Sequence, residues 1–250
     1  MVMILGLIPA RLNSQRLPNK PLVSLEGIPI IAHVLKRAKM SKKIDKILVC
    51  ADDKKIDDVV KNFGGECYLT AKNLKNGTER IASYLKKNKK LSKIKLVVDI
   101  QCDEVFLDPK DLDKLIKFHL KNYDKFDVVI PHSLTNESNN LNYCKIISDK
   151  LNRVLYLTRS DSPVNFRSEK KPFKRHLDFI SFKPNFLKKF KNLKNRELEE
   201  YEGIELLRAI ENNYKVGTFK INKDIFSINT KIDLETAKIL MKSDKIKNKY

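Results

Sequence analysis

Short apolar runs recur along the chain and mark strands at Met3 to Ile8, Lys46 to Cys50, Leu96 to Ile100 and Asp127 to Ile130. Between them, apolar residues return at the spacing of amphipathic helices over Ile30 to Met40, Ile56 to Phe63 and Leu112 to Lys121. Strands alternating with helices require crossover connections, so the pattern predicts an α/β fold with a mostly parallel central sheet. Ligands of such open sheets gather beyond the carboxyl ends of the strands. Three polar segments fall at that rim: the loop after Ile8, the pair Asp52-Asp53, and Gln101 to Glu104.

The second half reads differently. Asn136 to Asn142 is polar and asparagine-rich, and strand-like Cys144 to Ile147 and Val154 to Leu157 then suit a hairpin turning around Asp149 to Asn152. The basic stretch Asn165 to Lys174 is expected to be a mobile loop, and the lysine-rich tract Lys242 to Tyr250 is expected to fray. No long Pro-, Gly- or Ser-rich linker divides the 250 residues, so residues 1–250 are expected to form one domain, with a subdomain grafted on at about 131–190.

Composition narrows the function classes. Lys and Arg number 51 against 31 Asp and Glu, a net charge of +20. The lysines are spread in runs such as Lys42-Lys43 and Lys87 to Lys90, which reads as a solvated surface. No basic stripe is interleaved with aromatics, so a nucleic-acid partner is not expected, whereas a positive field does draw in small anionic substrates. The four cysteines lack C-x-x-C spacing and read as reduced thiols. The four histidines are scattered without metal-ligand spacing, which argues against zinc. There is no apolar run of membrane-spanning length and no signal-peptide pattern at the N-terminus, so a cytoplasmic protein without membrane insertion is expected.

The loop after Ile8 carries the candidate chemistry. Arg11, Arg16 and Lys20 are separated by the small polar residues Asn13, Ser14, Gln15 and Asn19. Arginine offers a bidentate fork to phosphate oxygens and lysine a compact charge, while a turn of this kind exposes backbone N–H groups to an anion. A triphosphate would suit it. Spacing alone leaves an ordinary solvated basic loop equally open.

Ile8-Pro9-Ala10-Arg11 followed by Ser14, Arg16-Leu17-Pro18 and Lys20-Pro21-Leu22 resembles the nucleotide-binding signature of the CMP-Kdo synthetases, the 3-deoxy-manno-octulosonate cytidylyltransferases. Ala51-Asp52-Asp53, Asn76-Gly77-Thr78-Glu79-Arg80 and Gln101-Cys102-Asp103-Glu104 are similar to further motifs of that family in the same order. So are Leu155 to Arg159, Arg175-His176, and Leu198-Glu199 through Leu207-Arg208. The sialic-acid-type cytidylyltransferases share the chemistry, but their first loop resembles this one less. The resemblance implies a three-layer, Rossmann-like (GT-A-like) nucleotidyltransferase that moves CMP from CTP to the anomeric hydroxyl of an acidic 2-keto sugar, supplying lipopolysaccharide or another surface polysaccharide. It also implies a homodimer and a region beyond residue 130 that covers the sugar.

Carried over residue by residue, the resemblance implies nucleotide binding by Ala10, Arg11, Ser14, Arg16, Lys20, Asn76, Gly77, Thr78, Arg80 and Gln101, with Arg11, Lys20 and Asp103 central to catalysis. Thr78 also reads as the N-cap of a helix. Magnesium (Mg2+) is the implied cofactor, held by Asp103 and by a second position occupied here by Asn229, where the family has aspartate. Asp99 replaces a neutral residue of the family. If Leu96 to Asp103 stays extended, Asp99, Gln101 and Asp103 share a side, which makes Asp99 a candidate replacement ligand; an unrelated hydrogen bond is the other reading. The implied sugar pocket is Gln101, Arg159, His176, Glu202 and Glu205. Glu199, Glu202 and Glu205 recur along a helix flank, which by itself is a solvated helix near Arg208. Ile180 and Leu206 replace polar residues of the family, and such losses suggest an altered acceptor, for example an amino-substituted or deoxygenated keto sugar. Asn229, Cys102 and Val105 also keep open a nucleotide-binding paralogue without turnover.

Overall fold

Strand β1 (Met3–Ala10) lies at the centre of the molecule and is buried from Ile4 onward. Its side chains alternate between two cores, because successive strand residues point to opposite faces. Ile4, Ile8 and Ala10 join one cluster, and Leu5 and Leu7 join the other. In this computed structural model the description covers every residue except 1–2, 15, 89–92, 168–170, 195 and 224. The expectations for Gln15, for the end of the Lys87 to Lys90 run and for the middle of the basic loop therefore lie outside the described residues.

The parallel half of the sheet follows the expected pattern. After β1 come two short strands, β2 (Ser24–Leu25) and β3 (Ile28–Pro29), then helix α1 (Ile30–Lys39), strand β4 (Lys46–Ala51), helix α2 (Lys54–Asn62) and strand β5 (Cys67–Leu69). Helix α3 (Gly77–Lys87), strand β6 (Ile94–Ile100), helix α4 (Pro109–Lys121) and strand β7 (Val128–Thr135) complete this half. Strands β4 and β6 flank β1 in parallel, and β5 adds to β4 in parallel. Helices α1, α2 and α4 pack on one face through Ile31, Leu35, Ile56, Val60, Leu112 and Leu115. On the other face Ile81 and Leu85 of α3 meet Phe186, Leu187 and Phe190. The result is a three-layer α/β arrangement.

The chain then doubles back. Strands β8 (Lys145–Ser148), β9 (Val154–Thr158), β10 (Phe173–His176) and β11 (Phe179–Phe182) precede helices α5 (Pro184–Phe190), α6 (Glu197–Glu202) and α7 (Leu207–Glu211), strand β12 (Val216–Lys220) and helix α8 (Lys231–Lys242). The described sheet runs β5-β4-β1-β6-β11-β7-β10-β8-β9, with β12 parallel to β7 on its other edge. Both β10 and β11 pair antiparallel with β7, so they are two halves of one line broken at Leu177 and Asp178. The β11 half completes the central sheet against β6, while the β10 half turns aside to pair with β8. Asp178 stands at this fork, where its carbonyl accepts from the Gln101 N–H at 3.3 Å.

Several expectations need correction. The hairpin of β8 and β9 turns where expected, with Asp149 Oδ1 accepting from the N–H groups of Leu151 and Arg153. Phe173 and Lys174, assigned to a mobile loop, instead begin β10. The C-terminal tract does not hang free: the Tyr250 hydroxyl bonds His33 Nδ1 at 2.8 Å and accepts from Arg37 Nε at 3.2 Å, and Arg37 pairs with Asp244 at 2.7 Å. A buried guanidinium requires such partners, and the tail supplies them.

Candidate active site

The rim of the parallel strands opens into a cleft of about 1260 Å³. Its first wall is the loop that leaves β1. The Leu12 N–H donates to Asp52 Oδ1 at 2.9 Å, and the other oxygen of Asp52 lies 3.4 Å from Arg80 Nη2. Arg80 is buried and also donates to Thr70 Oγ1 and to the Ala71 carbonyl. It therefore fixes the root of the loop from behind, outside the cleft wall. Ala10 is likewise buried at the end of β1, and Ser14 lies outside the wall; Arg11 and Arg16 line it. At the far end Asn19 takes a left-handed conformation (φ 53°) and starts the 3-10 turn Lys20–Leu22, which carries Lys20 back toward the strands.

Lys20 and Arg16 converge on the two positions implied to hold metal. Lys20 Nζ is 2.5 Å from Asp103 Oδ2, donates to the Ile228 carbonyl at 3.1 Å and lies 3.5 Å from Asn229 Oδ1. Arg16 Nη2 donates to the same Asn229 oxygen at 3.1 Å. Burial alone would lower the Lys20 ammonium, but the Asp103 carboxylate outweighs it and the net shift is upward. Asn229 is held rigidly because a capping box starts α8: Thr230 Oγ1 accepts from the Asp233 N–H, and Asp233 Oδ2 accepts from the N–H groups of Asn229 and Thr230. The Ile228 N–H donates to the Asp103 carbonyl at 3.3 Å, which locks the two chain segments together. Among the described residues no group of three or more His, Cys, Asp or Glu side chains forms a metal cage.

Deeper in the cleft, Gln101 Nε2 donates to both oxygens of Asp99, at 3.1 and 3.0 Å. Asp99 is fully buried and lies outside the cleft wall, with both oxygens on the Gln101 amide. Burial raises its carboxyl well above the usual range, and the neighbouring Glu205 and Asp178 raise it further. Gly77 lets this arrangement close: a Cβ there would lie 3.1 Å from the Pro9 ring and 3.3 Å from Gln101 Nε2. The N-cap of α3 is Asn76, whose Oδ1 accepts from the Glu79 N–H at 2.8 Å, and not Thr78. Thr78 instead donates to Glu205 Oε1 at 2.6 Å.

Glu199, Glu202 and Glu205 do not share a helix flank. Helix α6 stops at Glu202 because Gly203 turns left-handed (φ 62°), and Glu205 falls in the connection to α7. Each glutamate has its own task. Glu199 grips Arg208 through both oxygens at 2.5 Å, burying a guanidinium that also lies 3.5 Å from Glu79. Glu202 accepts from Thr158 Oγ1 and the Arg159 N–H, at 2.6 and 2.8 Å. Glu205 lines the cleft, its pKa pushed up to about 7 by burial, with Thr78 and Arg208 pulling the other way.

The cleft thus gathers Arg11, Arg16, Asn76, Gln101, Asp103, Arg159, His176, Glu205 and Asn229 from the expected set. Thr78, Glu202 and Asp99 stand behind the wall and Lys20 beside it, as partners of Glu205, Arg159, Gln101 and Asp103, which line it. Arg80 stands further back, behind the first loop, on Asp52, and Gly77 also lies outside the wall. The sequence reading missed two contributors. Arg175 stacks on the Tyr143 ring with its guanidinium carbon 3.7 Å from the centroid, and Asp178 lies 3.1 Å from His176 Nδ1. The available signal for both was the charged cluster Lys174, Arg175, His176 and Asp178 set directly before the apolar run Phe179 to Phe182.

Comparison with known proteins follows the same outline. The cytidylyltransferase family pattern matches residues 5–225. A 3-deoxy-manno-octulosonate cytidylyltransferase of Fusobacterium nucleatum is 34% identical over 245 residues, covering 97% of this chain and 98% of that protein. An 8-amino-3,8-dideoxy-manno-octulosonate cytidylyltransferase of Shewanella pealeana is 32% identical over 213 residues, covering 84% of this chain and 86% of its own. The solved structure of CMP:2-keto-3-deoxy-manno-octonic acid synthetase complexed with CTP superposes with a TM-score of 0.89 at 25% identity, over 96% of this chain and 98% of that one.

Proposed function

We propose, because this chain belongs to the cytidylyltransferase family and within it to the 3-deoxy-manno-octulosonate cytidylyltransferases, that it transfers CMP from CTP to the anomeric hydroxyl of an acidic 2-keto sugar and releases pyrophosphate. The observation that carries the reading is the convergence of Arg16, Lys20, Asp103 and Asn229 at the mouth of one cleft. The new bond joins the sugar oxygen to the α-phosphorus, the bond to the β-phosphate oxygen breaks, and the hydroxyl proton leaves to solvent.

Such a displacement needs charge neutralised on both the attacked and the departing phosphates. Arg11 and Arg16 offer donors from the loop. Lys20 exchanges its Asp103 partner for a phosphate oxygen, a step that costs little because the ammonium stays paired throughout. Asp103 and Asn229 both lie within reach of Lys20 Nζ, and a carboxylate with an amide oxygen is a donor set that fits magnesium completed by phosphate oxygens and water. When bound there, magnesium supplies further charge neutralisation. Asn76 and the Gly77 backbone present polar groups to the base, and Gln101, His176 and Glu205 face the acceptor. The protein would act in the cytoplasm as a homodimer and supply activated sugar for surface polysaccharide.

The neutral Asn229 supports a second reading, a nucleotide-binding paralogue without turnover. Pyrophosphate release with Kdo, measured for each of the four nucleoside triphosphates with and without magnesium, separates the two. The transfer reading predicts release with CTP alone, dependent on magnesium and reduced at least a hundredfold by Asp103→Asn. Binding of CTP with no release for any acidic keto sugar would leave only the paralogue.

A further inference from the structure

Where Gln101 and Glu205 line the cleft, a buried acceptor oxygen is left without a protein donor. Glu205 Oε2 is shut off from solvent at the cleft wall and has no hydrogen-bond partner, while its other oxygen is taken by Thr78. An unpaired buried carboxyl oxygen is costly and calls for a donor. Next to it Gln101 spends its N–H2 group on Asp99, which leaves the amide oxygen as its acceptor. No ion pair joins Asp99 to a cation among the described residues, and the neighbouring Glu205 and Asp178 add to the rise that burial imposes on its carboxyl. The arginine expected to serve this pocket does not relieve them. Three donors of Arg159 go to the carbonyls of Glu202, Leu141 and Gly203, at 2.8, 2.9 and 3.3 Å. The remaining wall here is apolar, from Ile180 and Leu206, both nearly fully buried.

A ligand reaching this corner must bring donors and gains from bringing positive charge. A sugar hydroxyl supplies one donor and also needs to be accepted from; an ammonium supplies three donors, asks for none and offsets the carboxyl cluster. We infer that the acceptor of this enzyme is an acidic keto sugar bearing a protonated amino group, which Glu205 and the Gln101 amide oxygen receive, with Asp99 positioning that amide. The inference rests on the cytidylyl-transfer reading above. The charge of the sugar's carboxylate remains with the basic side of the cleft, at Arg11, Arg16 and Arg175.

The test compares two probes, 8-amino-3,8-dideoxy-manno-octulosonate and Kdo, as acceptors at saturating CTP, alongside a direct CTP-binding titration. The expected result is a kcat/KM at least tenfold higher for the amino sugar. Glu205→Gln and the isosteric Asp99→Asn should each lower the ratio of the two kcat/KM values at least fivefold; a ratio is unaffected by a general loss of folded enzyme, and the wild-type comparison needs no variant. Turnover of Kdo equal to or better than that of the amino sugar overturns this inference and leaves the transfer reading standing. CTP binding without turnover of either sugar overturns the transfer reading, and this inference with it.

Discussion

Replacing Asn229 by aspartate places a charge at the point where the loop cations meet. Its Oδ1 accepts from Arg16 Nη2 at 3.1 Å and lies 3.5 Å from Lys20 Nζ. Unit charges 3.5 Å apart attract by about 5 kcal/mol at an effective dielectric of about 20. Most of that is offset by the lost hydration of the new carboxylate and by Asp103, which already holds the same ammonium at 2.5 Å. A net gain of about 1–2 kcal/mol follows, comparable to converting one neutral hydrogen bond to a charged one. For a chain of 250 residues this raises Tm by about 2–8 °C. The same carboxylate adds a charged ligand to the Asp103 site, so the magnesium concentration for half-maximal rate should fall about tenfold, or ~1.4 kcal/mol. Thermal unfolding at low salt and a magnesium titration of pyrophosphate release read the two effects. A Tm that does not rise, together with an unmoved magnesium midpoint, would refute the placement of residue 229 between cations and metal.

Three further outcomes follow from the geometry. Arg80→Met strips Asp52 of its buried partner, so folding stability should drop by about 3 kcal/mol and CTP should bind at least tenfold more weakly; unchanged CTP affinity would show that Arg80 does not hold the loop. Burial lowers the pKa of His119 and of His132 to about 4, from 6.5, so the unfolded chain takes up protons that the folded one refuses. Stability is therefore full above pH ~6.5 and declines as pH falls toward 4, by about 2 kcal/mol per histidine at pH 5. Urea unfolding at pH 7.5 and 5.0 should show that decline, and His119→Gln with His132→Gln should shrink it; an unchanged decline in the double variant counts against the assignment. Gly217→Ala would place a Cβ 2.5 Å from the Phe126 ring and should cost about 2–3 kcal/mol in the same assay, whereas a neutral result would mean that the ring moves freely.

The parallel half of the fold was legible because its physics is local. Apolar runs such as Leu96 to Ile100 become strands buried on both faces, and the spacing in Ile30 to Met40 aims one helix face at the sheet. The cations of the first loop were legible too, as residue types if not as partners. What stayed hidden depends on distant segments. Asn76 and Thr78 are both good caps, and only the position of Glu205, 127 residues beyond Thr78, decides that Thr78 serves elsewhere. The lysines of the C-terminal tract conceal Tyr250, whose hydroxyl is wanted by His33 and Arg37. Asp99 shares a side with Gln101 as the strand period requires, yet burial makes it a support for that amide. A glycine at 203 splits the glutamate helix, a break the regular Glu spacing masked.

The most direct test of cytidylyl transfer is 31P NMR of the complete reaction with CTP, magnesium and an acidic keto sugar. The account predicts that the three CTP resonances give way to one phosphodiester signal and to pyrophosphate in equal amounts, with the α-phosphorus retained on the sugar. Formation of CDP with inorganic phosphate, or an unchanged CTP spectrum across the sugars tried, would contradict it.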